Sequence, residues 1–459
     1  MFWILFRYTV FAIFVLLAFW YTARHKHLEL LCLYLWAVGF ANCFVFLGTI
    51  WNPAKVVSLF MIWCLLAHEK KRPPEKKGLY QSFFSLYVVV VLMANIVAIL
   101  SEKNLMLMEG SSPMGRLLLQ DFSYLTMGVL LFYGNLLEGN YAPRVYRSYC
   151  AAVELSIVIG LVHLVFNALG LTFMPIMRIS QSALFDAADS VKAHFGEQTM
   201  LRVYAFAGEP KGLGFYLVPY LIMSVVALVN GKARISMARH ITFLVLGCFV
   251  LLNTFSSSAI IAFLLSLPFV LVYVDRKLAR KALIVLGVVL LAASPVLLKR
   301  AMRPLGDDGI GFAQALYDRT FKRGVDELSS GRQEVNIMET YMEGNFSQLV
   351  FGWGMGQYSF HVEKSFTENG DLRTVQSGIV HAIADFGIMG LVLYLILAYA
   401  VIVALLKSAK GVRSAPKLFS AATLTSFVGS LMYGSLFTCF IFFMIYHYCE
   451  KPTGSIKRA

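Results

Sequence analysis

His381 and Asp385 stand four residues apart in the stretch His381-Ala382-Ile383-Ala384-Asp385-Phe386-Gly387-Ile388-Met389-Gly390, which opens a long apolar segment. On a helix that spacing puts the imidazole and the carboxylate on one side. A titratable residue at the mouth of a membrane cavity is a candidate for proton transfer; a purely local pair is the alternative. Upstream, Ser330-Gly331-Arg332-Gln333 has the Ser-x-x-Gln form of a capping box and leads into a helical pattern through Val335, Met338 and Met342. Arg332 then falls in the first turn, where its guanidinium and the free backbone N–H groups can face one anion; an ordinary exposed first-turn arginine is the alternative. Phe351-Gly352-Trp353-Gly354-Met355-Gly356 places an aromatic among three glycines. Such a segment folds tightly against something flat, either a sugar ring at Trp353 or its own chain in a plain turn. Arg202, Glu209 and Lys211 directly precede another apolar segment and sit at interface depth, facing headgroups or a cavity.

Arg332 suits an anion, since a guanidinium fork binds two oxygens and keeps its proton. Its charge counts for more at a partly dry interface than in bulk water. His381 suits a base or orienter near neutral pH. No Asp-x-Asp cluster that would hold Mg²⁺ occurs in either long polar loop, and Asp307-Asp308, flanked by glycines, suits a flexible turn.

The elements that must position these residues are membrane helices. Of 459 residues 58% are apolar and 14% charged, a balance no soluble domain carries. The apolar residues fall in blocks of about 17–25, the length that crosses roughly 30 Å of hydrocarbon. Candidate spans are 3–23, 28–49, 52–68, 80–100, 120–138, 151–175, 212–230, 239–254, 257–274, 282–298, 378–406, 417–433 and 434–449, the last two forming one broken unit or two. The predicted class is an all-α integral membrane protein with 12–13 transmembrane helices, one polytopic domain over 1–459. The first block has no small-residue cleavage site, so no cleavable signal is expected.

Lys and Arg concentrate in every second connector: Arg24/Lys26, Lys70 to Lys77, Arg144/Arg147, Lys232 to Arg239, Arg276 to Lys281, Lys407 to Lys417 and the tail from Lys451. These hold 23 of the 40 basic residues. Basic connectors stay cytoplasmic, so the net charge of +14 marks topology rather than a nucleic-acid surface. The alternation places two long loops outside, 176–211 and 299–377. In the first, Leu184, Ala188, Val191 and Phe195 predict a short amphipathic helix on the membrane surface. In the second, Phe312, Leu316, Phe321, Val325 and Leu328 predict another, with Arg319, Lys322 and Arg323 on a solvated or lipid-facing basic side. The seven cysteines lie in or beside apolar blocks, as buried thiols rather than disulfides or metal ligands. Glu154 and His163, within the sixth span, are expected to be packing polars between helices.

The order of these features resembles the bacterial O-antigen polymerase and O-antigen ligase superfamily. A Gly-Glu-Pro segment precedes a span, Thr254-Phe255-Ser256-Ser257-Ser258 turns between two more, and a large outer loop carries Ser-Gly-Arg and Phe-Gly-Trp-Gly-Met-Gly before the histidine. The resemblance runs over roughly 200–400. It implies a metal-independent, inverting glycosyltransferase of the GT-C type, without cofactor, multi-pass in the bacterial inner membrane. It implies a glycan donor on undecaprenyl diphosphate, with membrane lipid, a chain-length regulator and a flippase as further partners. By the same resemblance Arg332 holds the diphosphate and His381 assists the acceptor hydroxyl.

Two departures bear on the reaction. Ala382 follows the histidine where ligases carry Asn, Ser or Gln, and the turn 254–259 lacks the arginine common in the family. Arg202 or Lys211 then supplies that charge, and both departures favour a polymerase over a ligase that transfers to lipid A-core. A transporter or flippase is the rival from another class; it calls for charged or broken helices at mid-membrane and repeated halves, whereas the ionisable residues here gather outside.

Overall fold

The computed structural model describes residues 2–46, 50–68, 79–100, 117, 132–137, 141–171, 173–174, 177–179, 184–186, 192–195, 198–230, 237–270, 332–354, 357, 378–408 and 415–430. Twelve α-helices lie within these: α1 Phe2–Ala23, α2 His27–Val38, α3 Pro53–His68, α4 Leu79–Leu100, α5 Ala142–Ala168, α6 Pro210–Asn230, α7 Met237–Asn253, α8 Ser257–Val270, α9 Arg332–Met342, α10 Phe346–Phe351, α11 Gly378–Ser408 and α12 Ala415–Ser430. The protein is an all-α integral membrane protein. Four described helices are long and apolar enough to cross a membrane, over Phe2–Ala23, Ala142–Ala168, Pro210–Leu228 and Ile379–Val403; six more apolar helices of 10–17 residues accompany them.

The centre of the bundle is α6, with 72% of its apolar stretch buried, whereas α1 has 17% of its apolar stretch buried. Against α6 pack α7, α8 and α12. The approach of α12 follows from its small residues: Ser420, Ala421, Ala422, Thr423, Thr425 and Ser426 are all buried. Small side chains let helices come close where no water drives them together. The hydroxyls of Thr423, Thr425 and Ser426 donate to the carbonyls of Phe419, Ala421 and Ala422, one turn back, so these three donors are satisfied within the helix. Tyrosines fasten the other side: Tyr149 OH donates to the Tyr216 carbonyl at 2.7 Å and Tyr216 OH to the Leu35 carbonyl at 2.8 Å, joining α5, α6 and α2.

Three spans differ from their predicted extents. The span at 28–49 is a 12-residue helix ending at Val38, about 18 Å long. Beyond it the chain turns, Asn42 N–H donates to the Phe206 carbonyl at 2.9 Å, and β1 Val45–Phe46 pairs antiparallel with β2 Ile50–Trp51. The span at 151–175 instead runs Ala142–Ala168. Pro143 starts it in the first turn, where a missing N–H costs nothing, and Gly170 at φ 68 turns the chain away after its end. Of 120–138 the described part is 132–137, which holds a 3-10 turn over Tyr133–Leu136.

The amphipathic helix predicted through Leu184 to Phe195 is not formed. The described parts of 176–201 are strands: β3 Met177–Ile179 pairs with β4 Leu184–Asp186, and β5 Lys192–Phe195 with β6 Gln198–Leu201, both antiparallel. A single short helix is marginal in water. Gly196-Glu197 between β5 and β6 is also the Gly-X sequence of a two-residue hairpin. The helix predicted over Phe312–Leu328, the basic cluster Arg319/Lys322/Arg323, and the spans 282–298 and 434–449 lie outside the described residues.

Candidate functional site

The outer end of α11 is built around a break. Gly387 sits at φ 64, ψ −152 inside the helix, a conformation that only glycine adopts without large strain. A Cβ on Gly390 would come 2.1 Å from the carbonyl oxygen of Ala382, so the two segments close on each other across the break. The predicted long span is therefore two pieces. His381 and Asp385 ride on the short outer one, and the break frees the Ala384 and Asp385 carbonyls from their helical partners.

Phe351-Gly352-Trp353-Gly354 takes up those carbonyls. Trp353 N–H donates to the Ala384 carbonyl and Gly354 N–H to the Asp385 carbonyl, both at 3.0 Å. The Trp353 ring is buried with Ile337, Tyr341 and Ala384, its centroid 5.9 Å from that of Tyr341 in an edge-on contact. With 2% of its surface exposed, Trp353 offers no face on which a sugar could stack. Between the two alternatives for this glycine-rich stretch, the chain folds against itself. Tyr341 OH donates to the Leu349 carbonyl, and burial raises its pKa above the ordinary value, so it acts as a donor. The capping box Asn345/Gln348 starts α10, with Gln348 N–H on Asn345 Oδ1 at 3.0 Å and Asn345 N–H on Gln348 Oε1 at 3.1 Å. The Asn-x-x-Gln spacing signals it in the sequence as plainly as Ser330-x-x-Gln333 does.

On this platform His381 Nδ1 lies 2.9 Å from Asp385 Oδ2. Asp385 is almost wholly buried, while 27% of the histidine side chain is exposed. Nδ1–H donating to the carboxylate leaves Nε2 as the acceptor nitrogen. Lys211, in the first turn of α6, is close enough for its charge to act on the imidazole, and Glu209 acts in turn on Lys211. Glu209 is exposed ahead of Pro210, and its backbone carbonyl accepts the Leu213 N–H at 3.0 Å.

Arg202 comes to the turn between α7 and α8. Its Nε donates to the Thr254 carbonyl at 2.9 Å and an Nη to the Phe255 carbonyl at 3.3 Å. Phe255 stands at φ 46, in the left-handed region, a strain of about 1–2 kcal/mol for an L-residue. The guanidinium and the Val203 N–H, which donates to the Asn253 carbonyl, hold this turn closed. Gly214, one turn along α6 from Lys211, packs on Ser256 and Ala259 beside it. Folding thus brings a distant cation to the turn that carries no arginine of its own. Arg332 is the first residue of α9, and α9 packs on α11 through Ile337 and Tyr341; the Arg332 side chain lies outside the described residues.

Glu154 does more than pack. Arg239 donates through Nε to Glu154 Oε1 at 2.8 Å and through Nη2 to Oε2, and Tyr220 OH donates to Oε1 at 2.7 Å. Ser224 Oγ lies 3.2 Å from His240 Nδ1 beside it. This network ties α5, α6 and α7 together. In the sequence Arg239 registers only as one more connector charge, and no local spacing links it to Glu154. His163 stacks on Phe173 at 4.2 Å and meets Tyr204 edge-on at 4.4 Å, a packing position.

Residues 242–395 match the family model described as O-antigen ligase. The matched stretch runs from α7 to within α11 and contains the turn at 254–256, α9, α10, the glycine junction and the His381–Asp385 pair. A comparison with curated proteins finds no match. The family match supports lipid-linked glycan transfer of the O-antigen ligase or polymerase type, without separating the two.

Proposed function

We propose that this protein is a polysaccharide polymerase of the bacterial inner membrane. It transfers a glycan from undecaprenyl diphosphate to a lipid-linked repeat unit at the outer leaflet. The observation that carries this is the His381–Asp385 pair, 2.9 Å apart at the broken end of α11 within the O-antigen ligase match. The acceptor hydroxyl gives its proton to His381 Nε2 as its oxygen bonds to the anomeric carbon. The bond from that carbon to the diphosphate breaks, and the diphosphate leaves with the electron pair. Asp385 orients the imidazole and balances the charge it gains. Arg332, with Arg202 and Lys211, stabilises the departing dianion; Glu209 positions Lys211, and Trp353 serves as packing for the junction. A chain-length regulator and a flippase are proposed partners.

Polymerase is favoured over a lipid A-core ligase by Ala382 next to the histidine. A deletion strain tests the proposal through gels of its surface glycan. Loss of long chains with single repeats retained is the expected result. Long chains stranded on the lipid carrier would make the enzyme a ligase, and an unchanged ladder would overturn both.

A further inference from the structure

At the opposite end of the bundle, which the Lys/Arg alternation assigns to the cytoplasm, a groove of about 570 Å³ opens between α1, α2 and the start of α5. That size lies within the roughly 300–1,000 Å³ of ligand sites. Ile13, Phe14, Leu17 and Tyr21 descend one side of α1 along it, a wall of about 12 Å at 1.5 Å per residue. Leu28 and Leu33 of α2 complete an apolar trough.

Its mouth is cationic. Arg144 pairs with Glu29 at 3.1 Å, with 66% of the arginine side chain exposed. Arg147 is exposed and has no ion pair among the described residues. Among the described residues that line it, two guanidinium groups stand against one carboxylate, a surplus positive charge where the trough meets the membrane surface. The floor is fixed: Trp36 Nε1 donates to Ser148 Oγ at 3.1 Å, so the polar atoms there are already engaged.

We infer that this groove binds an anionic phospholipid of the cytoplasmic leaflet, with an acyl chain along α1 and the phosphate on Arg147 and Arg144. The argument is one of charge and depth. Basic pockets between helices on the cytoplasmic side suit acidic headgroups, and the guanidinium fork matches phosphate oxygens. A zwitterionic lipid brings its own ammonium and leaves the surplus charge unmatched. The occupant bridges α1, otherwise the least buried of the four long apolar helices, to α2 and α5.

Native mass spectrometry of the full chain, released from phosphatidylcholine nanodiscs with and without phosphatidylglycerol, tests this. The wild type is expected to retain one phosphatidylglycerol and no phosphatidylcholine. Arg144→Gln/Arg147→Gln should lower retention at least about tenfold, a loss of about 1.4 kcal/mol or more. Leu17→Trp, which fills the trough and keeps both arginines, should lose the lipid as well. Arg24→Gln should keep it, because Arg24 lies at the same end but is engaged over the Trp20 ring at 4.6 Å. Equal retention in the double arginine variant, or phosphatidylcholine held as well as phosphatidylglycerol, would overturn the assignment.

Discussion

Gly352 and Gly387 meet backbone to backbone. A Cβ on Gly387 would lie 2.6 Å from the Gly352 nitrogen, and one on Gly352 would lie 2.4 Å from the Asp385 carbonyl carbon. Both stand at positive φ, 64 and 77. The contact seats the loop-two helices on the broken end of α11, and so sets where His381 and Asp385 stand relative to α9.

Gly387→Ala is therefore expected to be far more damaging than Gly170→Ala, although both glycines share nearly the same φ. Gly170 has open space around it, so alanine there costs only left-handed strain of about 1–2 kcal/mol. At Gly387 overpacking adds about 1–3 kcal/mol. Thermal unfolding in detergent measures both; equal shifts would mean that the junction yields freely.

His381→Ala should reduce transfer about 10²–10⁴-fold, the contribution of a positioned base, with expression unchanged. Asp385→Asn should cost less, because the carboxylate orients the imidazole without touching substrate. His381→Gln accepts a hydrogen bond but takes no proton, so the acid limb of the pH–rate profile should vanish with the rate. Near-normal chain lengths in a His381→Ala strain would leave the histidine a structural residue.

Arg332→Lys should lose most activity, about 10–100-fold for one charge-assisted fork, whereas Arg319→Lys should lose little. Arg202 gives a different signature because its fork already holds two carbonyls of the strained turn at Phe255. Arg202→Lys should lower thermal stability by about 1–2 kcal/mol as well as weakening the donor KM. Equal tolerance of lysine at 332 and 319 would refute the diphosphate assignment.

Removing either partner of the α5–α7 ion pair should have unequal effects. Arg239→Gln leaves Glu154, 9% exposed at its side chain, without its cation; stranding a buried charge costs about 3–5 kcal/mol. Glu154→Gln leaves Arg239, 54% exposed, free to extend to the membrane surface, and should cost about 1 kcal/mol. Chemical unfolding of the two variants checks the order, and the reverse order would show that Arg239 is held from elsewhere.

The sequence alone determined whatever repeats locally or is a property of composition. Apolar blocks of spanning length gave the membrane class, since hydrocarbon leaves backbone groups no other partner than their own helix. The i, i+4 spacing of His381 and Asp385 already placed the two side chains on one side, and Arg332 lies in the first turn of α9 as the Ser-Gly-Arg-Gln stretch predicts. Tertiary structure decided the rest. Whether Phe351-Gly352-Trp353-Gly354 holds a ligand or its own chain depended on the carbonyls freed at Gly387, a break that glycine permits but does not require. That Arg202 reaches Thr254 and Phe255, and Arg239 reaches Glu154, follows from helix packing between segments with no periodic relation. In loop 176–211 a helical apolar spacing competed with a Gly-X hairpin signal, and the backbone bonds between the paired strands settled it.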